Sequence, residues 1–319
     1  MVYAWTMRKR PLGKTGLTVS ELGLGTWGLS GEAYGRVVEA EADRVLERAR
    51  AFGITLIETA DSYAKGAMEK RLGERLENDE RVIIVTKWGT SRENTPPRKR
   101  FDEKYLRECC AASAERLKRE KIHVALLHNP SLKALERDET TGTMQALVDE
   151  GKLGSWGVSA GSAEVARAAV EKGAKIVSLT YNLFHRGDLD ALKEAPGIAD
   201  VGILAHSVLA YGLLAGHWSG FRIFRAPDHR AERWSQDELK RRFRQLDAVR
   251  PALGGNIPTM RAVALRFVLS NESVASAILG PKTGMQLDQL VREAGTAPYI
   301  SKEKLEALNN RLDETGVES

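Results

Sequence analysis

The sequence is poor in cysteine, in aromatics and in long apolar runs. Only two cysteines occur among its 319 residues, Cys109 and Cys110, and they are neighbours. Adjacent thiols cannot staple distant segments, so a disulfide framework is excluded. No Cys or His spacing suits a zinc finger, and His185, His217 and His229 share no ligand spacing on a common face; no metal is expected. No stretch approaches the roughly 18 apolar residues of a membrane helix. The opening MVYAWTMRKRPLGKTG lacks the apolar core of a secretory signal. These absences predict a cytoplasmic protein with no membrane partner. A large excess of one charge is missing too. Lys and Arg number 48 against 43 Asp and Glu, a formal net charge of +5, which calls for no nucleic-acid partner.

What is present is a globular chain, 42% hydrophobic and 29% charged. Eight aliphatic or β-branched runs alternate with helical patterns. Strands are expected at residues 19–25, 55–58, 82–87, 123–128, 154–159, 176–181, 202–205 and 274–279. Several, such as VIIV and VALL, are continuous apolar runs, as buried parallel strands are. Helices are expected at 40–51, 68–77, 102–118, 140–149, 162–170, 189–193, 236–249 and 286–293, with further ones at 260–270 and 302–314. Gly53, Gly151 and Gly173 stand where helices should stop. Eight β–α alternations predict a single (β/α)8 TIM barrel of α/β class spanning residues 1–319 as one domain. Its decorations are an N-terminal hairpin closing the barrel bottom, a long loop after strand 7 (residues 211–258) and a C-terminal helix.

Two glycine-rich strings are discounted. Gly23 to Gly28 fits G-x-G-x-x-G, but a loop of about ten residues, 29–38, separates it from the next helix, so it is not a Rossmann turn. Gly13-Lys14-Thr15 matches the tail of a P-loop, but Arg8 stands where the first Gly belongs.

More telling are polar residues at strand ends, because the C-terminal rim of a barrel carries its chemistry. The second strand ends in Glu58 with Tyr63 five residues on; the third ends in Lys87 and the fourth in His128. Singly, each has a structural account: a solvated lysine, a satisfied histidine, a packed tyrosine. Together they place four ionisable groups on three consecutive strand ends, and charges so near a core need partners. The simplest pairing is Glu58 with Lys87, with Tyr63 beside the ammonium. A phenol is a poor acid at neutral pH, and a neighbouring ammonium lowers its pKa. A neutral imidazole orients a carbonyl oxygen. The set suits protonation of a carbonyl oxygen as hydride reaches carbon.

At this point the chain resembles the aldo-keto reductase superfamily over some 270 residues. RPLGKTGLTVSELGLGTW, GITLIETADSYAKGAMEKRLGERL, VTKWG, LLHNP, GKLGSWGVS, VSLTYNLFHR, ILAHSVLAYGLLAG and AILGPKTGMQLDQL follow in family order. The resemblance implies an NADP(H)-dependent oxidoreductase acting on a small carbonyl substrate. In it Tyr63 is the general acid, Lys87 its partner, His128 the carbonyl-orienting residue, and Glu58 stands in the place of the family's Asp. It further assigns Gly25, Thr26, Ser159, Ser178, His206, Ser207, Leu209, Gly280, Lys282 and Gln286 to the cofactor. Trp27 and Trp88 are assigned to the substrate pocket, with Trp218 near the same rim. Lys282 suits a 2′-phosphate, which favours NADPH. Several positions depart from the family: Ala160 replaces the usual Asn after Ser159, Ser178 the usual Gln, His206 the stacking aromatic ring and Leu290 the usual Asn.

The charge excess is local. Residues 222–250 carry nine Lys or Arg and five Asp or Glu, in the loop that closes over the cofactor pyrophosphate in many family members. Two rival readings remain: a cofactor-binding regulatory subunit with little turnover, motivated by Ala160 and Ser178, and a barrel lyase using Lys87 as a Schiff-base nucleophile. A homo-oligomer is compatible with either.

Overall fold

A computed structural model describes residues 7–317, apart from Asn78, Asn94 and Gly220. Strands β1 (Lys9–Pro11) and β2 (Thr18–Ser20) pair antiparallel as the expected hairpin. After them come β3 (Leu22–Gly25), α1 (Glu39–Ala51), β4 (Leu56–Glu58), α2 (Ala67–Leu76) and β5 (Ile83–Trp88). A small antiparallel pair follows, β6 (Thr90–Ser91) and β7 (Arg98–Lys99), then α3 (Glu103–Leu117), β8 (Ile122–His128), α4 (Leu132–Leu135) and α5 (Asp138–Asp149). The next elements are β9 (Leu153–Ser159), α6 (Ala163–Glu171), β10 (Ile176–Thr180), α7 (Gly187–Leu192) and β11 (Gly202–His206). The chain finishes with α8 (Gln236–Val249), α9 (Met260–Ser270), β12 (Val274–Leu279), α10 (Gly284–Ala294) and α11 (Lys302–Glu314).

The eight strands β3, β4, β5, β8, β9, β10, β11 and β12 close into a parallel barrel in chain order, β12 pairing back onto β3. The fold is therefore the expected TIM barrel. Sequence chemistry explains the helix starts: Asp102, Ser162, Ser235, Thr259, Thr283 and Ser301 each accept a backbone N–H at the head of α3, α6, α8, α9, α10 and α11. Each such cap is worth about 1 kcal/mol. One expected strand divides. Residues 19–25 split at Glu21, which is buried and held by Arg10 and Tyr299; the chain turns there from the hairpin into the barrel.

The barrel interior is packed by Val85, Val124, Leu126, Ile176, Leu204 and their neighbours, and the hairpin seals its N-terminal end. Leu12 is fully buried against the start of β11, and a Cβ on Gly202 would sit 2.6 Å from Leu12 Cδ1. Chemistry is thus confined to the opposite rim. Among the described residues no helix is long and apolar enough to cross a membrane.

Candidate active site

At the C-terminal ends of the strands lies a cavity of about 820 Å³. Its floor holds the four rim residues. Glu58 is the last residue of β4 and His128 the last of β8, while Lys87 lies one residue from the end of β5. Tyr63 stands in the turn after β4, its N–H donating to Ala60 O at 3.1 Å. Ala64 and Lys65 follow in the left-handed region, φ +48° and +53°, a strained backbone of the kind found at functional sites.

Lys87 Nζ donates to a Glu58 carboxylate oxygen and to Thr59 O at 3.0 Å. The ammonium sits 4.9 Å from the centre of the Tyr63 ring, and the His128 ring meets Tyr63 edge-on at 6.2 Å. His128 Nδ1 is buried with no partner among the described residues. Burial, reinforced by Lys87 and Lys99, holds the His128 imidazole well below its usual range, so the ring is neutral. Burial also pulls Lys87 down, against the opposing pull of Glu58.

The phenol departs from expectation. Burial first, and the Glu58 carboxylate second, push Tyr63 well above its ordinary value. Burial and the Glu58 carboxylate outweigh the anticipated lowering by the ammonium, and Lys87 is itself held down by burial.

Of the residues assigned to the cofactor, Gly25, Ser159, His206, Ser207, Leu209, Gly280, Lys282 and Gln286 line this cavity. Thr26 and Ser178 do not. Both are buried, each with a hydroxyl lacking a partner among the described residues. Burial pushes His206 down to about 4, and its Nδ1 lies 3.1 Å from Ser207 Oγ. At the far end Lys282 N donates to Gln286 Oε1 at 2.7 Å and Lys282 Nζ to Tyr34 O at 2.9 Å. Ala160 and Leu290 are on the wall.

Trp27 and Trp218 line the cavity, but the assignment of Trp88 to the pocket is corrected. Trp88 is fully buried, and its indole N–H donates to Ser113 Oγ of α3 at 2.9 Å. Neighbouring residues on a strand face opposite ways; with Lys87 turned to the Glu58 contact, Trp88 turns to the helix layer.

Several cavity residues were not singled out in the sequence, Arg230 and Arg233 only as part of a basic segment. Arg92 and Lys99 come from the β6–β7 segment, and Tyr34 from the loop after β3. Arg230 and Arg233 come from the basic insert. Arg230 pairs with Asp228 at 2.6 Å and stacks 4.5 Å from the Phe224 ring and 4.7 Å from Tyr34; Arg233 lies 3.7 Å over Tyr211. Of residues 222–250, only these two arginines line the cavity. The run KRRFR lies on α8, away from the lining. Cys109 and Cys110 are buried on α3, and Cys109 Sγ donates to Asp61 Oδ2 at 3.3 Å. Among the described residues no group of three or more His, Cys, Asp or Glu could hold a metal.

Residues 21–310 match the model of the aldo/keto reductase family. The chain belongs to that family, whose fold and chemistry make it an oxidoreductase of carbonyl compounds. It is 29% identical over 315 residues to the uncharacterized oxidoreductase YqkF of Bacillus subtilis (strain 168), covering 95% of this chain and 96% of that protein. Among solved structures it resembles the holo form of aldo-keto reductase AKR11C1 from Bacillus halodurans, with a TM-score of 0.79 and 21% identity over 96% of both chains. It also resembles the glycerol dehydrogenase AKR11B4 from Gluconobacter oxydans, with a TM-score of 0.82 and 23% identity over 100% of this chain and 98% of that one.

Proposed function

We propose that this protein reduces an aldehyde or ketone to an alcohol, or runs the reverse reaction, using NADP(H). The observation that carries the reading is the contact set on the cavity floor: Glu58 on Lys87, Lys87 beside the Tyr63 ring, and neutral His128 edge-on to it.

The cavity fits an anionic dinucleotide. Seven Lys or Arg and one Glu line it. The glycine at 280 leaves open space where a Cβ would stand, next to the capped N-terminus of α10, where phosphates are favoured. His206, Ser207, Gly280, Lys282 and Gln286 would hold the cofactor. Arg230 and Arg233 would meet its phosphates, and Lys282 supports NADPH over NADH. When bound, the nicotinamide supplies the hydride that reaches the carbonyl carbon.

The remaining work falls to side chains. Tyr63, kept protonated by burial, donates its hydroxyl proton to the carbonyl oxygen. His128, as a neutral ring, orients that oxygen. Lys87 sits where a developing phenolate would need a cation, and Glu58 fixes Lys87 in place. Lys87 is buried and held by Glu58 and Thr59 O, so its Nζ is engaged in hydrogen bonds rather than presented to a substrate carbon.

Titrating the purified protein with NADPH while following cofactor fluorescence tests the first half; no binding at high micromolar cofactor overturns it. Turnover of a broad aldehyde and ketone panel, lost in Tyr63→Phe, tests the second. Tight cofactor binding without turnover would instead favour the regulatory reading, for which the buried, unpartnered Ser178 hydroxyl is the supporting observation.

A further inference from the structure

Beside the reacting floor, two cations stand where carbonyl reduction needs none. Lys99, on β7, reaches back across the β6–β7 pair. Its ammonium donates to the carbonyl oxygen of His128 at 2.6 Å and to Thr90 Oγ1 at 2.8 Å. Both acceptors are neutral. Arg92, in the same segment, donates through Nη1 to Glu32 Oε1 at 2.7 Å. The other oxygen of Glu32 accepts the N–H of Ala64, the residue after Tyr63, at 3.0 Å. Arg92 is thereby tied to the Tyr63 turn as Lys99 is tied to His128. Its Nε is buried with no partner among the described residues. Both side chains line the cavity, and the one carboxylate among the lining residues, Glu58, is already engaged by Lys87.

We infer that Arg92 and Lys99 form an oxoanion subsite, so that the preferred carbonyl substrates carry a carboxylate or phosphate group. The inference rests on the carbonyl-reductase reading and names its substrate class. Lys99 is an exposed residue whose ammonium has no carboxylate in hydrogen-bond contact among the described residues, only a hydroxyl and a backbone carbonyl. Such a cation is stabilised by an arriving anion through charge-assisted hydrogen bonds, and the Arg92 guanidinium, which lines the cavity and gives Nη1 to Glu32, keeps further terminal N–H groups as donors. Desolvation lowers Lys99 to about 8 against the opposing pull of the Asp61 carboxylate. The cavity cations come from different elements: Arg230 and Arg233 from the insert, Lys282 from the turn before α10, and Arg92 and Lys99 from the β6–β7 segment.

The test uses matched aldehydes with the full-length protein and NADPH. 4-Carboxybenzaldehyde is compared with its methyl ester, methyl 4-formylbenzoate, and glyceraldehyde 3-phosphate with glyceraldehyde. The wild type is expected to favour the anionic member of at least one pair by tenfold or more in kcat/KM, and the pair that shows it identifies carboxylate or phosphate. The preference should fall at least tenfold in the Arg92→Met/Lys99→Met double variant and survive in Lys99→Arg. Calorimetric titration with 4-(hydroxymethyl)benzoate, the 4-carboxybenzaldehyde product, and its methyl ester supplies a reading independent of turnover. Should no aldehyde be reduced, an anion preference in calorimetry that disappears in the double variant upholds the subsite while the reductase reading fails. A wild-type preference near one for both pairs, a preference untouched in the double variant, or absence of any anion preference in calorimetry when nothing is reduced overturns the inference.

Discussion

The two ends of the barrel each bury an ion pair, and they treat it differently. At the sealed end Arg10 pairs with Glu21 at 3.2 Å; its Nη1 donates to Asn271 O and Val274 O, and its Nη2 to Leu269 O. The Tyr299 hydroxyl donates to the other Glu21 oxygen. Protein atoms meet the demands of the pair except at Arg10 Nε, which is buried with no partner among the described residues. At the open end the Glu58–Lys87 pair lies among groups that protein does not satisfy: His128 Nδ1 and the hydroxyls of Thr59 and Ser178 have no partner among the described residues. A buried pair costs desolvation and needs supporting hydrogen bonds to be tolerated. Where those bonds come from protein, the pair holds the fold. Where they are missing beside a cavity, the geometry is set for something that arrives.

The largest effect that would break this contrast concerns Tyr63. Tyr63→Phe is expected to lower kcat/KM by about 10²–10⁴-fold while the thermal midpoint stays close to wild type, as measured by steady-state reduction and calorimetric melting; a large loss of stability would make Tyr63 structural. Next come the pairs themselves. Removing one partner of a buried pair costs about 3–5 kcal/mol, so Lys87→Met and Arg10→Met should both lower stability in denaturant titrations. Only Lys87→Met should abolish turnover in the folded fraction, and equal activity losses would erase the distinction between the two ends.

A smaller effect is pH-dependent. The folded pKa of His206, about 4, lies below its ordinary value of 6.5. Charging this residue therefore opposes folding. Its contribution is present above pH 6.5 and is lost as pH falls towards 4, a change of up to about 3 kcal/mol. His206→Phe should flatten the acid limb of stability over that window in melting experiments between pH 4 and 7, and an unaltered limb would show that His206 is not the group responsible. The smallest change is expected from Glu58→Asp. The shorter carboxylate should press less on Tyr63, so the alkaline limb of the kcat profile should move to lower pH; a limb unchanged or moved upward would show that Glu58 does not set the phenol.

Much of this was legible in the chain. The alternation of apolar runs and capped helices announced the barrel, and the polar strand ends announced Glu58, Tyr63, Lys87 and His128, because a charge at the end of a buried strand needs a reason. Trp88 was misread although period-2 geometry opposes it to Lys87 on β5. Thr26 and Ser178 carry family positions, yet their small side chains stop short of the cavity wall. Arg92 and Lys99 left no signal, for they lie in a short pair of two-residue strands whose pattern is too brief to show periodicity. The basic insert announced its charge but not its division: two of its arginines face the cavity, and the run on α8 does not.

By itself the sequence determined the barrel, its order and the residue types on its reactive rim, since hydrophobic periodicity and strand-end polarity are local properties. Tertiary structure alone decided that burial and the Glu58 carboxylate push Tyr63 up rather than down, that Trp88 belongs to the helix layer, and that Arg92 and Lys99 flank the reacting floor. Those outcomes depend on distances between segments far apart in the chain, and on how much water each group loses when they meet.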